Sequence, residues 1–312
     1  MRRTTTFPSG RDTCTATHVT ARDDGLVGPG GRPCVVMAHG FGGTVDTGLV
    51  GYAEGLAGAG LDVLAFDYRG FGHSGGATRQ RVSYRRQRAD YHAAIRAARD
   101  LPGVDPERIV LWGTSYSGGH VFPVAVRDGR IAAVVSMTPA VDGTAALLTL
   151  VRHAGVRPLA RLVAHGLRDL GRALVGRPAH FVPIVAEPGD LGFITSPGSL
   201  AGYASAAGPT WRNAVTARSA LEVALNRPIR FAARLRSPLL VQVGELDTVA
   251  PPTAAHRAAS KAGQHASVRT YPVGHFDVYD GAGLAAALAD QITFLHEHLS
   301  TTHPTPEKAI HA

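Results

Sequence analysis

Cysteine is nearly absent, with Cys14 and Cys34 the two in 312 residues. Two thiols cannot build a disulfide framework, and these have no metal-ligand spacing, so both are expected to be buried and free. Lysine is as scarce, 2 against 30 arginines, which reads as the coding bias of a GC-rich genome rather than selection for phosphate. No stretch approaches the ~18 uninterrupted apolar residues of a membrane span. Met1-Arg-Arg is followed by Thr-Thr-Thr-Phe-Pro-Ser-Gly rather than by the apolar centre of a signal peptide. A soluble, cytoplasmic protein without a membrane partner is expected.

What is present is a globular composition, 45% hydrophobic and 18% charged, long enough for a sizeable core. The net charge of +8 raises the question of nucleic acid. The basic residues are dispersed, however, and no recognised nucleic-acid module is present. The densest cluster, Arg79 to Arg88, reads as a solvated helix face, and no nucleic-acid partner is expected. Fifteen histidines invite a metal reading, yet the i,i+2 spacing of His296 and His298 splits their rings across a helix. No metal and no cofactor are expected.

Short apolar runs bounded by Gly, Pro and Asp recur at Cys34–Ala38, Val63–Phe66, Ile109–Trp112, Ile131–Ser136, Leu239–Val243 and Ser267–Tyr271. Such runs are the mark of buried parallel strands. Helical patterns separate them at Thr47–Ala59, Ser83–Asp100, Tyr116–Arg127 and Pro252–Ala262. A last helix carries Leu284, Leu288, Ile292, Leu295 and Leu299 on one stripe. This alternation predicts an α/β fold with a mostly parallel sheet flanked by helices. From Met137 to Pro238 the rhythm breaks, and so long a connection must build something of its own. The expected division is a core of 1–142 and 231–300, a largely helical cap of 143–230 between two late strands, and a disordered tail of 301–312. Within the cap, Leu159, Leu162, Val163, Leu167, Leu170 and Leu174 share one face, followed by a Pro/Gly-rich section.

The motif Gly113-Thr-Ser-Tyr-Ser-Gly118 follows the run ending at Trp112 and precedes a helical pattern. Ser115 therefore sits on a strand-to-helix turn, where small neighbours at Gly113 and Ser117 permit a tight, strained backbone. Such a string is a weak signal by itself, so partners must be found. His275 follows the last core strand in Tyr-Pro-Val-Gly-His-Phe-Asp, where a general base belongs. Asp247 leaves the preceding strand in Gly-Glu-Leu-Asp and is the expected orienting carboxylate. Asp142 is its main rival, with Glu245 and Asp277 nearby but less well placed. The glycine-rich turn His39-Gly-Phe-Gly-Gly43 carries neither phosphate-binding motif at that point. It can aim the backbone N–H of Phe41 at an oxyanion, with the N–H of Tyr116 as second donor. His39, Asp67 and Arg69 read as residues that hold their loops, and His120 as packing beneath the cap. The side chain of Tyr116 is an open candidate for lining the pocket.

Taken jointly, these motifs resemble the α/β-hydrolase superfamily. The similarity is to the bacterial group of serine aminopeptidase and Xaa-Pro dipeptidyl-peptidase-like hydrolases, and to the polyketide-transferase relatives of dienelactone hydrolase. The residues that carry it are His39–Gly43, Asp67-Tyr-Arg-Gly-Phe-Gly-His-Ser-Gly-Gly76, Leu111–His120, Gly244–Asp247 and Gly274-His275. The resemblance spans about residues 30–300 and implies the fold but no particular substrate.

The expected chemistry is attack of Ser115 on an acyl carbonyl with His275 as base and Asp247 fixing its tautomer. Apolar cap residues and the scarcity of cap carboxylates favour a small-molecule ester or thioester with an apolar acyl group over a peptide amine. An acyltransferase using the same three residues is the alternative, with a peptidase or a non-catalytic binder behind it. Assembly is left open, a homodimer included.

Overall fold

The computed structural model describes residues 1–300, so the expected tail at 301–312 lies outside the described residues. The chain opens with an antiparallel hairpin, β1 (Arg2–Ser9) and β2 (Asp12–Val19), turned at Gly10 with φ +63°. The sequence reading did not anticipate this pair. Its strands are rich in Thr and Arg, and Phe7, Cys14 and Ala16 face the core from alternate positions, the pattern of a strand wetted on its other face.

The parallel part follows in β3 (Arg32–Ala38), α1 (Val50–Gly58), β4 (Asp62–Phe66), α2 (Tyr84–Arg99), β5 (Val104–Thr114), α3 (Ser115–Asp128) and β6 (Ala133–Met137). β5 begins five residues before the expected strand, across an irregularity opposite Arg32, and β6 lies slightly later than expected because its pairing starts at Ala133. After β6 the chain forms α4 (Gly143–Ala154), α5 (Val156–Leu174), β7 (Phe181–Val182), α6 (Ser199–Ala206), β8 (Val215–Thr216) and α7 (Ala220–Val223). It returns to the sheet as β9 (Leu239–Gly244), α8 (Pro252–Ala262), β10 (Ala266–Tyr271) and α9 (Gly281–Leu299).

The eight strands of the main sheet run in the order β1-β2-β4-β3-β5-β6-β9-β10. From β4 to β10 every neighbour is parallel, as expected, and β2 joins β4 antiparallel. The central strands are buried on both faces, so apolar side chains point alternately into two cores. One core contains Val36, Leu111, Phe122 and Val241, and the other contains Met37, Trp112, Tyr52 and Leu295. Trp112 donates its indole N–H to Gln291 Oε1 at 2.9 Å, and the Gln291 amide donates in turn to Gln242 Oε1 at 2.7 Å. Those bonds satisfy four polar atoms that would otherwise be stranded in the core.

The insertion between β6 and β9 is rooted where its two ends meet. Arg227 bonds Asp142 through two nitrogens, each at 3.0 Å. Gly143 N–H donates to Asn226 C=O at 2.8 Å, and Ile229 N–H to Val141 C=O at 2.9 Å. The expected apolar face of α5 is only partly covered: Leu162 is buried, whereas Leu167, Leu170 and Leu174 are exposed. The helix instead packs through Gly166 and Asp169, whose carboxylate accepts from His180 N–H and Arg218 N–H. Among the described residues, no helix is long and apolar enough to cross a membrane.

Candidate active site

Ser115 is the first residue of α3, with φ +55°, a left-handed conformation that an L-residue adopts only when its surroundings impose it. Those surroundings are visible. A Cβ on Gly113 would stand 2.3 Å from Ser117 C=O, and one on Gly119 would stand 2.3 Å from Ala140 C=O. Only glycine fits either place. Ser117 fills the position where the motif has its last glycine, and its hydroxyl has definite work there: it accepts from Thr114 N–H at 2.9 Å and donates to Ala38 C=O at 2.7 Å. The turn is thus fastened to the end of β3, where Phe41's loop begins.

Strand ends bring the other two candidates to the same spot. Asp247 stands three residues past β9 and His275 four past β10. His275 Nε2 lies 3.0 Å from Ser115 Oγ, and His275 Nδ1 lies 2.6 Å from Asp247 Oδ2. The second carboxylate oxygen accepts from Val249 N–H at 2.7 Å and Ala250 N–H at 2.8 Å. Asp247 is therefore fixed by backbone and in turn fixes the imidazole, leaving Nε2 to face the hydroxyl. All three residues are more than nine-tenths buried. The turn carrying His275 is held by Asp277, which accepts from Gly274 N–H at 2.7 Å, and by Tyr279, whose hydroxyl meets Thr114 Oγ1 at 2.6 Å.

The rival carboxylates are engaged elsewhere. Asp142 caps α4 through Thr144 and pairs with Arg227, Glu245 is exposed, and Asp277 serves the histidine turn.

The cleft over Ser115 is lined by Gly40, Phe41, Thr47, His275, Phe276 and Tyr279 from the core, and by Ile194, Tyr203 and Ala206 from the insertion. The rings of Phe41 and Tyr116, the two residues expected to offer oxyanion amides, meet edge to face at 5.4 Å. Tyr116 N–H lies in the first turn of α3, where amides have no partner within the helix. The side chain of Tyr116, left open as a candidate for lining the pocket, is not among the residues that line the cleft. Its ring packs against His120, centroids 4.7 Å apart, and its hydroxyl is buried. Tyr203 is the residue that sequence reasoning missed, since a single tyrosine in an Ala/Gly-rich stretch gives no signal. It lines the cleft and donates to Phe41 C=O at 2.8 Å.

His39 holds its loop as expected. Its Nδ1 bonds Gly40 C=O at 3.0 Å, and burial lowers its pKa, keeping the ring neutral. Asp67 accepts from Val45 N–H and His73 N–H, while Arg69 is committed to Asp90 and Ser9. The run from Arg79 to Arg88 departs in part from a solvated face, since Arg79 and Arg85 are exposed but the other arginines are not. Arg79 bonds Gly72 C=O, Arg81 pairs with Glu222, Arg86 pairs with Asp12, and Arg88 is buried.

The family model described as serine aminopeptidase, S33, matches residues 31–277. The quorum-quenching protein AidA of Acinetobacter baumannii is 37% identical over 267 residues, covering 84% of this chain and 86% of AidA. The thiohydrolase aneE of Aspergillus aculeatus is 38% identical over 118 residues, covering 38% of this chain and 37% of that protein. The crystal structure of the α/β hydrolase GrgF from Penicillium superposes with a TM-score of 0.81 at 21% identity, over 96% of this chain and 99% of that one.

Proposed function

Because the chain belongs to the serine aminopeptidase S33 family of α/β hydrolases, we propose that it cleaves a carboxylic ester or thioester through an acyl-enzyme on Ser115. The observation that carries this reading is the continuous hydrogen-bonded line from Ser115 Oγ through His275 to Asp247, at 3.0 Å and 2.6 Å, beneath a mostly apolar cleft. Ser115 Oγ attacks the acyl carbonyl as His275 Nε2 takes its proton. Asp247 holds Nδ1–H and stabilises the imidazolium. The N–H groups of Phe41 and Tyr116 receive the oxyanion, and loss of one such donor costs about 3 kcal/mol of barrier. His275 then returns the proton to the leaving alcohol or thiol. It next removes one from the water that releases the acid.

The insertion acts as a cap, with Ile194, Tyr203 and Ala206 roofing the acyl group. A free peptide amine is a poorer fit, because none of the residues lining the cleft is a carboxylate and Glu222 is committed to Arg81 and Ser83. The test is a fluorophosphonate probe followed by peptide mapping. Label is expected on Ser115 and absent from Ser115→Ala, and the same wild-type protein should release acid from nitrophenyl esters and acyl thioesters. A folded wild-type protein that takes no label overturns the reading. Acceptor-linked product in preference to free acid would replace hydrolysis by acyl transfer at the same serine.

A further inference from the structure

Behind the nucleophile turn, on the side away from the cleft, lies a run of buried polar groups that the acyl chemistry does not use. Gln87 and Arg88 on α2, Tyr116 and His120 on α3, and Asn226 at the end of the insertion are each more than nine-tenths buried. They touch in sequence. Arg88 Nη2 donates to Asn226 Oδ1, and the Asn226 amide lies against the Tyr116 hydroxyl without completing a bond to it. The Tyr116 ring meets His120 edge-on, and His120 Nε2 meets Gln87 Oε1 at 3.1 Å. Five polar atoms along this run have no partner: Arg88 Nε, Tyr116 Oη, Asn226 Nδ2, Gln87 Nε2 and His120 Nδ1.

The charge balance is equally incomplete. Among the described residues, no carboxylate pairs with Arg88. The carboxylate of Glu222 is taken by Arg81 at 3.2 Å and Ser83 at 2.7 Å, and Arg127 adds positive charge on the same side. The Tyr84 ring, 4.8 Å from the guanidinium, supplies only a weak counterpart. Burial lowers the guanidinium's pKa to about 10, so it remains charged at neutral pH. A buried, unpaired cation is costly.

We propose that Arg88, Tyr116 and Asn226 form an internal binding site for a small inorganic monoanion of chloride size. Within the site Arg88 Nε and Asn226 Nδ2 can only donate and the Tyr116 hydroxyl is free to donate, whereas the one atom that can only accept, His120 Nδ1, belongs to the neighbouring His120–Gln87 pair. Water offers donors and acceptors alike and no charge. An anion accepts from all three of these groups and neutralises the guanidinium. The site joins α2, the nucleophile helix and the end of the insertion, so its occupancy stabilises their packing. It does not depend on acyl transfer at Ser115.

The wild-type protein, purified and crystallised with bromide as the sole halide from lysis onward, should show an anomalous peak against Arg88 Nε. Ordered water without anomalous signal at that place overturns the proposal. In solution at constant ionic strength, replacing gluconate by chloride should raise the thermal midpoint by about 2 °C per tenfold increase above the dissociation constant. Equal midpoints in both salts count against the site. Asn226→Asp supplies Arg88 with a built-in carboxylate. It should raise the midpoint in halide-free buffer and abolish the chloride dependence, whereas a less stable variant that still responds to chloride refutes the assignment.

Discussion

The hydroxyl of Tyr203 donates to the carbonyl of Phe41 at 2.8 Å, joining residues 162 positions apart. The bond ties helix α6 of the insertion to the loop that carries Phe41, whose own N–H is the proposed oxyanion donor. Replacing Tyr203 by Phe keeps the ring and removes the bond, which is worth about 1 kcal/mol. The expected result is an approximately fivefold fall in kcat on a nitrophenyl ester, with KM little changed and the thermal midpoint within a few degrees of wild type. A midpoint shift with unchanged kcat would mean that the bond holds the insertion and nothing more.

Ser117 departs from the glycine of the motif, and restoring that glycine is expected to harm the protein. Ser117→Gly strands Thr114 N–H and Ala38 C=O and adds backbone entropy to the unfolded chain. Urea unfolding should show a loss of about 2 kcal/mol. An equal or more stable variant would show that the hydroxyl is dispensable.

Asp62 gives the fold a defined acid limit. Burial would push its carboxyl up, but hydrogen bonds from His18, Arg32 and Ala21 N–H outweigh this and hold it at about 2. The unfolded carboxyl titrates near 3.9. The stabilisation is therefore complete above that value and is lost as pH falls through 2, amounting to roughly 2 kcal/mol. Unfolding free energies followed from pH 5 to pH 2 should decline over this window, and Asp62→Asn should flatten that decline.

Much of the fold could be read directly from the chain because the central parallel strands are buried on both faces and therefore appear as unbroken apolar runs. The β1–β2 hairpin escaped for the opposite reason, since its threonines and arginines face water from alternate positions. Ser115, Asp247 and His275 were found because each stands just beyond a recognisable strand. The proposed oxyanion donors are backbone amides, which no residue type announces. Arg88 was misread for a subtler cause. Tyr84, Gln87, Arg88 and Tyr91 recur at helical spacing, but polar residues on a buried face look like a solvated one until the insertion is seen to cover them. Tyr203 had no signal at all, because its role depends on where the insertion folds back.

The paired ends of the insertion, Asp142 against Arg227, have a consequence for how such a molecule can change. Since this excursion leaves and re-enters at one doorway, a longer, shorter or wholly different excursion could hang from the same threshold without re-threading any strand. The eight-stranded frame and the roof above Ser115 are free to diverge at different rates.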